Sequence, residues 1–204
     1  MGIKKYTIGS FETNTYIITK GNKCVIVDPA LSFNLLLDEI KGYEVVAILL
    51  THGHLDHIDG IGFVDAPIYI SSYDLVNLSD YSYSLYSLVG IIPSYNFNEL
   101  KINTLEDNDI IYFGDFTFKV IHTPGHTKGS VCYLYYDNLF TGDTLFKESI
   151  GRTDLPGGSY KDINKSLEKL IHSVNGHVKI YPGHGENSNF KAEKENNPYL
   201  LKIK

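Results

Sequence analysis

Between Thr51 and Gly60 the chain reads T-H-G-H-L-D-H-I-D-G, which puts His52, His54, His57 and the carboxylate of Asp56 within six residues. The preceding run Val45-Val46-Ala47-Ile48-Leu49-Leu50 is apolar throughout, the pattern of a buried strand. A buried strand ending in such a loop aims several imidazole and carboxylate donors at one point. Those donors bind zinc and its neighbours at about 2 Å. The competing reading is a solvated, histidine-rich turn. It is opposed by the clustering of three of the chain's eight histidines here and by the return of others in glycine-flanked loops downstream.

Upstream, Thr15-Tyr16-Ile17-Ile18-Thr19 and Cys24-Val25-Ile26-Val27 read as two strands of a hairpin that turns at 20–23. Asp28-Pro29 ends the second strand, and Asp before Pro favours turn chemistry over a place behind the metal site. Ser32 is expected to cap a short helix through Ile40 that Gly42 ends. After the histidine loop a strand is expected at 67–70 and a helix at 72–78. A tract holding Tyr81, Tyr83, Tyr86 and Tyr95 with Leu85, Leu88, Ile91 and Ile92 follows. It reads either as a lid over a substrate or as surface packing in a chain with sixteen tyrosines.

The second half repeats one device, an apolar strand that delivers a metal-capable residue at its end. A hairpin over 110–121 runs into His122-Thr123-Pro124-Gly125-His126, and the strand at 139–141 runs into Gly142-Asp143. The strand at 178–181 ends in Pro182-Gly183-His184-Gly185. Between the last two, Ser159 with Asp162 resembles a capping box, and Ile163, Leu167, Leu170 and Ile171 mark a helix face. Any helix begun near Phe190 stops at Asn197-Pro198.

The formal net charge is −6 and no basic run extends beyond Lys4-Lys5, so there is no electrostatic footprint for nucleic acid or an anionic membrane. No apolar run approaches the roughly 20 residues of a membrane span, and the first residues lack a signal peptide's apolar core. A cytoplasmic protein acting on a small molecule is expected. Cys24 and Cys132 lie far apart in apolar segments and read as buried free thiols.

In order along the chain, H-x-H-x-D-H, T-P-G-H-T, T-G-D and P-G-H-G resemble the metallo-β-lactamase superfamily of hydrolases. The resemblance covers nearly all of residues 1–204, read as one α/β domain, and implies a four-layer αββα sandwich with a two-metal site at one edge of the sheets. Carried over position by position, it implies that His52, His54 and His126 bind one metal, that Asp56, His57 and His184 bind a second, and that Asp143 bridges them. Two zinc ions per chain are expected, with iron or manganese as alternatives. A bridging hydroxide would be the nucleophile, its pKa lowered from about 15.7 toward 7, with Asp56 as the catalytic group that accepts its proton.

Within the superfamily, H-T-P-G-H-T followed by Gly-Ser, and T-G-D-T-L-F, look most like compact members of the glyoxalase II group, which hydrolyse thioesters of glutathione. Arg152 is a candidate contact for a substrate carboxylate, with a salt bridge to Asp154 as its competing role. Gly151-Arg152-Thr153-Asp154 is also similar to a segment of persulfide dioxygenases, which use one iron at the positions of His52, His126 and Asp143. A phosphodiesterase or lactonase stands further off. His122 reads as a structural histidine or a neighbour of the site, and His172 and His177 as neither ligand nor neighbour.

Overall fold

Neighbouring residues on the central strands face different hydrophobic cores, and this alternation builds the architecture. The computed structural model describes residues 2–203. Its first half holds β1 (Gly2–Ile8), β2 (Thr13–Lys20), β3 (Lys23–Val27), the short helix α1 (Leu37–Ile40), β4 (Glu44–Leu49), α2 (Leu55–Ile58), β5 (Ile68–Ser71), α3 (Tyr86–Val89) and β6 (Ile102–Leu105). These six strands form one sheet in chain order, antiparallel from β1 to β3 and parallel from β3 to β6.

The second half holds β7 (Ile110–Phe113), β8 (Phe116–His122), β9 (Val131–Tyr135), β10 (Asn138–Gly142), a small hairpin of β11 (Leu145–Phe146) and β12 (Ser149–Ile150), α4 (Tyr160–Ser173), β13 (Lys179–Pro182), β14 (Ser188–Asn189) and α5 (Phe190–Asn196). Its main sheet has the order β14-β13-β10-β9-β8-β7.

On β4, Ala47 and Leu49 belong to the core between the two sheets, whereas Ile48 and Leu50 pack outward against Phe33, Leu55, Ile58 and Tyr86. On β9 and β10, Tyr133 and Phe140 face the inter-sheet core, while Cys132 and Leu139 face Leu167 and Leu170 of α4 and Phe190 of α5. A strand covered on both faces needs apolar residues at every position, which is why these strands read as continuous runs. The layers are therefore helix, sheet, sheet, helix. Both cysteines are buried and free.

Helix α4 forms as its sequence dictates. Ser159 Oγ accepts a hydrogen bond from the Asp162 amide at 3.2 Å, and Ile163, Leu167 and Leu170 are fully buried. Such a cap is worth about 1 kcal/mol and each buried aliphatic side chain about 1.5–3 kcal/mol.

Elsewhere the local expectation and the chain diverge. Ser32 sits at φ 73° with no capping bond, and the segment begins as a 3-10 turn, Phe33–Leu36, before α1. The segment Ser72–Leu78 is also 3-10, and its cap is Ser71, whose side chain accepts from the Tyr73 amide. Edge strands β1 and β6 were not anticipated at all, because their exposed residues break the apolar pattern.

Strand direction then sets the site. Strands β8 and β10 are both antiparallel to β9, and β13 is parallel to β10, so all three end at one edge. The end of β4 meets that edge, with the Val131 amide donating to the Thr51 carbonyl at 2.8 Å and the Gly183 amide to the Gly142 carbonyl at 2.9 Å.

Candidate metal centre

Five segments converge on that edge. His52 and His54 lie in the loop after β4, Asp56 and His57 on α2, His126 in the loop after β8, Asp143 after β10 and His184 after β13. All seven residues named by the motifs come together, and their donor atoms form three overlapping groups that suit a metal ion: His52, His54 and His126; His52, His57 and Asp143; Asp56, His57 and His184. Within each group the donors lie inside 4.8 Å of one another.

The rings are turned by hydrogen bonds on their outer sides. The Thr51 hydroxyl donates to Asp28 Oδ2 at 2.7 Å, so its oxygen is left to accept from His52 Nδ1 at 3.1 Å. His52 Nε2 then carries a lone pair toward the centre. His57 Nδ1 donates to Asp28 Oδ2 at 2.8 Å and His126 Nδ1 to the Arg152 carbonyl at 2.8 Å, leaving both Nε2 atoms to face inward. Holding a ligand imidazole by its remote nitrogen is what fixes both its tautomer and its orientation.

Asp143 joins the two histidine sets. Its Oδ2 lies 3.5 Å from His126 Nε2 and 3.4 Å from His184 Nε2, and its Oδ1 lies 3.4 Å from His57 Nε2. Asp56 Oδ2 lies 3.3 Å from His184 Nε2, 3.5 Å from His57 Nε2, and accepts from Thr13 Oγ1 at 2.9 Å. His52 Nε2, His54 Nε2 and Asp143 Oδ1 are buried without a hydrogen-bond partner, an arrangement that costs free energy unless a ligand satisfies them. His54 Nδ1 and His126 Nε2 also approach to 2.9 Å. Five imidazoles, two carboxylates and unpartnered inward atoms fit divalent cations.

The electrostatics agree with that donor set. Burial pulls the His52 imidazole well below its usual value and His54 down to about 3, so both are neutral donors. Burial also opposes charge on His57 and His184, but Asp56 and Asp143 outweigh it and push them up to about 9 and about 11. Burial works against the charge on Asp56 as well, yet His57 and His184 hold it down to about 2. The same carboxylate field that retains protons on two histidines attracts a cation.

Two glycines let the loops close. A Cβ on Gly183 would overlap Asp143 Oδ1 and come within 2.7 Å of His57 Cε1. At Gly142, φ 46°, a Cβ would overlap the Thr51 side chain.

Above the centre lies a cleft of about 320 Å³ lined by His54, Asp56, His126, Asp143 and His184, with Phe11, Leu85, Leu88, Val89, Arg152 and Leu155 around them. The guanidinium of Arg152, at the rim of the cleft, makes two 2.7 Å bonds to Asp154. Of the two readings of the tyrosine tract, packing holds for two of its tyrosines. Tyr86 and Tyr95 are buried, with hydroxyls on Asp59 Oδ1 and the Leu78 carbonyl, and the aliphatic residues of the tract face the cleft instead. His122 Nε2 donates to the Lys128 carbonyl and its ring stacks on Tyr73, a structural role; His177 pairs with Asp137.

Two buried carboxylates escaped the motif reading. Asp28 is no mere turn residue. At φ 49° it accepts from the Thr51 amide, the Thr51 hydroxyl and His57. Asp74 accepts from the amides of Gly53 and Gly129 and from Thr127 Oγ1, tying the His52–His54 loop to the His126 loop. Burial raises its pKa, those bonds opposing. The Asp-Pro junction was a signal for Asp28; nothing local marks Asp74.

A family model described as "Metallo-beta-lactamase superfamily" matches residues 8–184. A probable metallo-hydrolase of Streptococcus pyogenes serotype M6 is 34% identical over 204 residues, covering 92% of this chain and 85% of that one. Among solved structures, BLEG-1 B3 metallo-beta-lactamase is 33% identical with a TM-score of 0.88, covering 98% of this chain and 99% of the other. TTHA1623 in a di-iron-bound form is 32% identical with a TM-score of 0.84, over 97% and 100%. Among the described residues no helix is long and apolar enough to cross a membrane.

Proposed function

The chain belongs to the metallo-β-lactamase superfamily, and on that premise we propose that it is a dinuclear metal hydrolase that cleaves a thioester. His52, His54 and His126 would hold one divalent cation and Asp56, His57 and His184 the other, with Asp143 shared. Asp143 carries this reading, because its carboxylate lies within 3.5 Å of nitrogens from both histidine sets.

When bound, the two cations supply Lewis acidity that polarises a carbonyl and brings the pKa of a water near neutrality. Asp56 lines the cleft with Oδ2 anchored by Thr13, and its carboxylate would be the group to accept a proton from the nucleophile. Asp28 and the Arg152 carbonyl accept from Nδ1 of His57 and His126 and so turn both Nε2 atoms inward. Zinc is the metal proposed. The choice of thioester rests on the loops H-T-P-G-H-T-K-G-S and T-G-D-T-L-F, similar to those of glyoxalase II.

The test is elemental analysis of the purified protein together with turnover of S-lactoylglutathione and of glutathione persulfide under oxygen monitoring. About two zincs per chain with thioester cleavage is the expected result. One iron with oxygen uptake would instead make the protein a persulfide dioxygenase, the reading that the Gly151-Arg152-Thr153-Asp154 segment favours.

A further inference from the structure

The mouth of the metal cleft carries an apolar lip assembled from three separate segments. Phe11 comes from the β1–β2 loop, Leu85, Leu88 and Val89 from α3 and its N-terminal flank, and Leu155 from the loop after β12. Leu88 is 73% exposed, and Phe11 and Val89 are each 40% exposed. Isolated exposed leucines are ordinary, but several gathered at the edge of a cleft mark a binding surface.

The lip is fixed in place. The Leu55 amide, next to the metal loop, donates to the Ser84 carbonyl at 2.9 Å. The Tyr86 hydroxyl, buried beneath α3, donates to Asp59 Oδ1 at 2.8 Å. Leu85 between them holds φ 72°, a left-handed conformation that a leucine adopts only against strain. That strain turns the segment so that Leu85, Leu88 and Val89 all reach the cleft. A surface ordered beforehand binds without further cost of ordering.

Charge in the cleft excludes the obvious alternative. Arg152 is the one lysine or arginine among the lining residues, and Asp154 already engages it through two nitrogens. A carrier rich in carboxylates finds no free cation there.

We propose that the part of the substrate lying outside the metal centre is uncharged and apolar, an aliphatic acyl chain seated on Leu85, Leu88 and Val89. This inference rests on the thioester reading for the reaction but not for the binding surface. Two measurements therefore separate them. The first is kcat/KM of the zinc-loaded protein on acyl thioesters of one small uncharged thiol, N-acetylcysteamine, from acetyl to octanoyl. The second is calorimetric binding of the free alkanoates from acetate to octanoate to the same protein.

Both quantities should rise about two- to fourfold per added methylene until the lip is covered. Leu88→Ser and Val89→Ser, at exposed positions where the fold does not depend on the side chain, should flatten both slopes. No turnover of any thioester beside an intact alkanoate slope would overturn the reaction and leave the lip standing. Thioester turnover with a flat slope in wild type, or a slope unchanged in both serine variants, would overturn the lip.

Discussion

His57 Nδ1 lies 2.8 Å from Asp28 Oδ2, and both side chains are withdrawn from solvent. The pair ties the residue that follows β3 to α2, and the same carboxylate receives the amide and hydroxyl of Thr51. One residue thereby turns His57 directly and His52 through Thr51.

Asp28→Ala removes the acceptor from three buried donors. Each donor left unpaired costs about 1–3 kcal/mol, so we expect a loss of several kcal/mol in denaturant unfolding. Metal affinity, read by competition with a chromophoric chelator, should fall about 10–100-fold. An unchanged affinity would mean that the ring of His57 is oriented by something else.

Gly183→Ala disturbs the second cation set and the carboxylate shared with the first. The added methyl overlaps Asp143 Oδ1 and crowds His57. Metal content should drop from about two per chain to about one or fewer, measured by elemental analysis after dialysis. Full content with wild-type turnover would show that the P-G-H loop yields more easily than its packing implies.

Much of this centre was legible because each ligand loop follows an apolar strand, and strand ends at one sheet edge converge whatever the loops contain. His126, Asp143 and His184 needed no tertiary knowledge to be singled out. Asp28 and Asp74 did. The partners of Asp28 lie 23 and 29 residues away and those of Asp74 as far as 55, so their roles come from the packing of segments, and their local sequence reads equally well as a turn or a helix start. The tyrosine tract stayed open between lid and packing for a related reason. Tyr86 offers both a ring and a hydroxyl, and only the position of Asp59 decides that it points inward.

Metal uptake should be coupled to proton release. Without a cation, Asp56 and Asp143 outweigh burial to keep His57 protonated up to about pH 9 and His184 up to about pH 11. Only a neutral imidazole can ligate, so near neutral pH both protons must leave. Affinity should therefore weaken as pH falls, by about tenfold per unit for each proton displaced, approaching two protons below about pH 9. Calorimetry in buffers of different ionisation enthalpy reads the number directly. Release of no protons between pH 6 and 8 would contradict the assignment of His184 and His57 as ligands.

Removing the metal should also soften the fold. Ligands that bind only the native state stabilise it by about 4 kcal/mol at a thousandfold excess over Kd, which for a chain of this length is roughly 10 °C in Tm. A chelator should produce that drop, and returning zinc should reverse it. A Tm indifferent to chelator, with metal confirmed absent, would mean that the seven side chains hold their arrangement by hydrogen bonds alone.

Asp74 gives the sharpest separation of scaffold from chemistry, because it touches none of the seven metal-site residues. Its carboxylate binds the Gly53 amide at 3.0 Å, the Gly129 amide at 2.7 Å and Thr127 Oγ1 at 2.6 Å, each in a loop that carries a histidine of the first set. In Asp74→Ala all three donors lose their acceptor in a site closed to water, for a cost of about 3–5 kcal/mol. In Asp74→Asn the shape persists, but one of the amide's two ends must present hydrogens to donors, so about 1–3 kcal/mol is lost. The two loops should then separate, and the first cation set should loosen before the second. Metal release against chelator should show one fast and one slow component in Asp74→Asn. Uniform release, with stability lost to the same extent, would mean that Asp74 supports the fold as a whole and not the juxtaposition of His52 and His54 with His126.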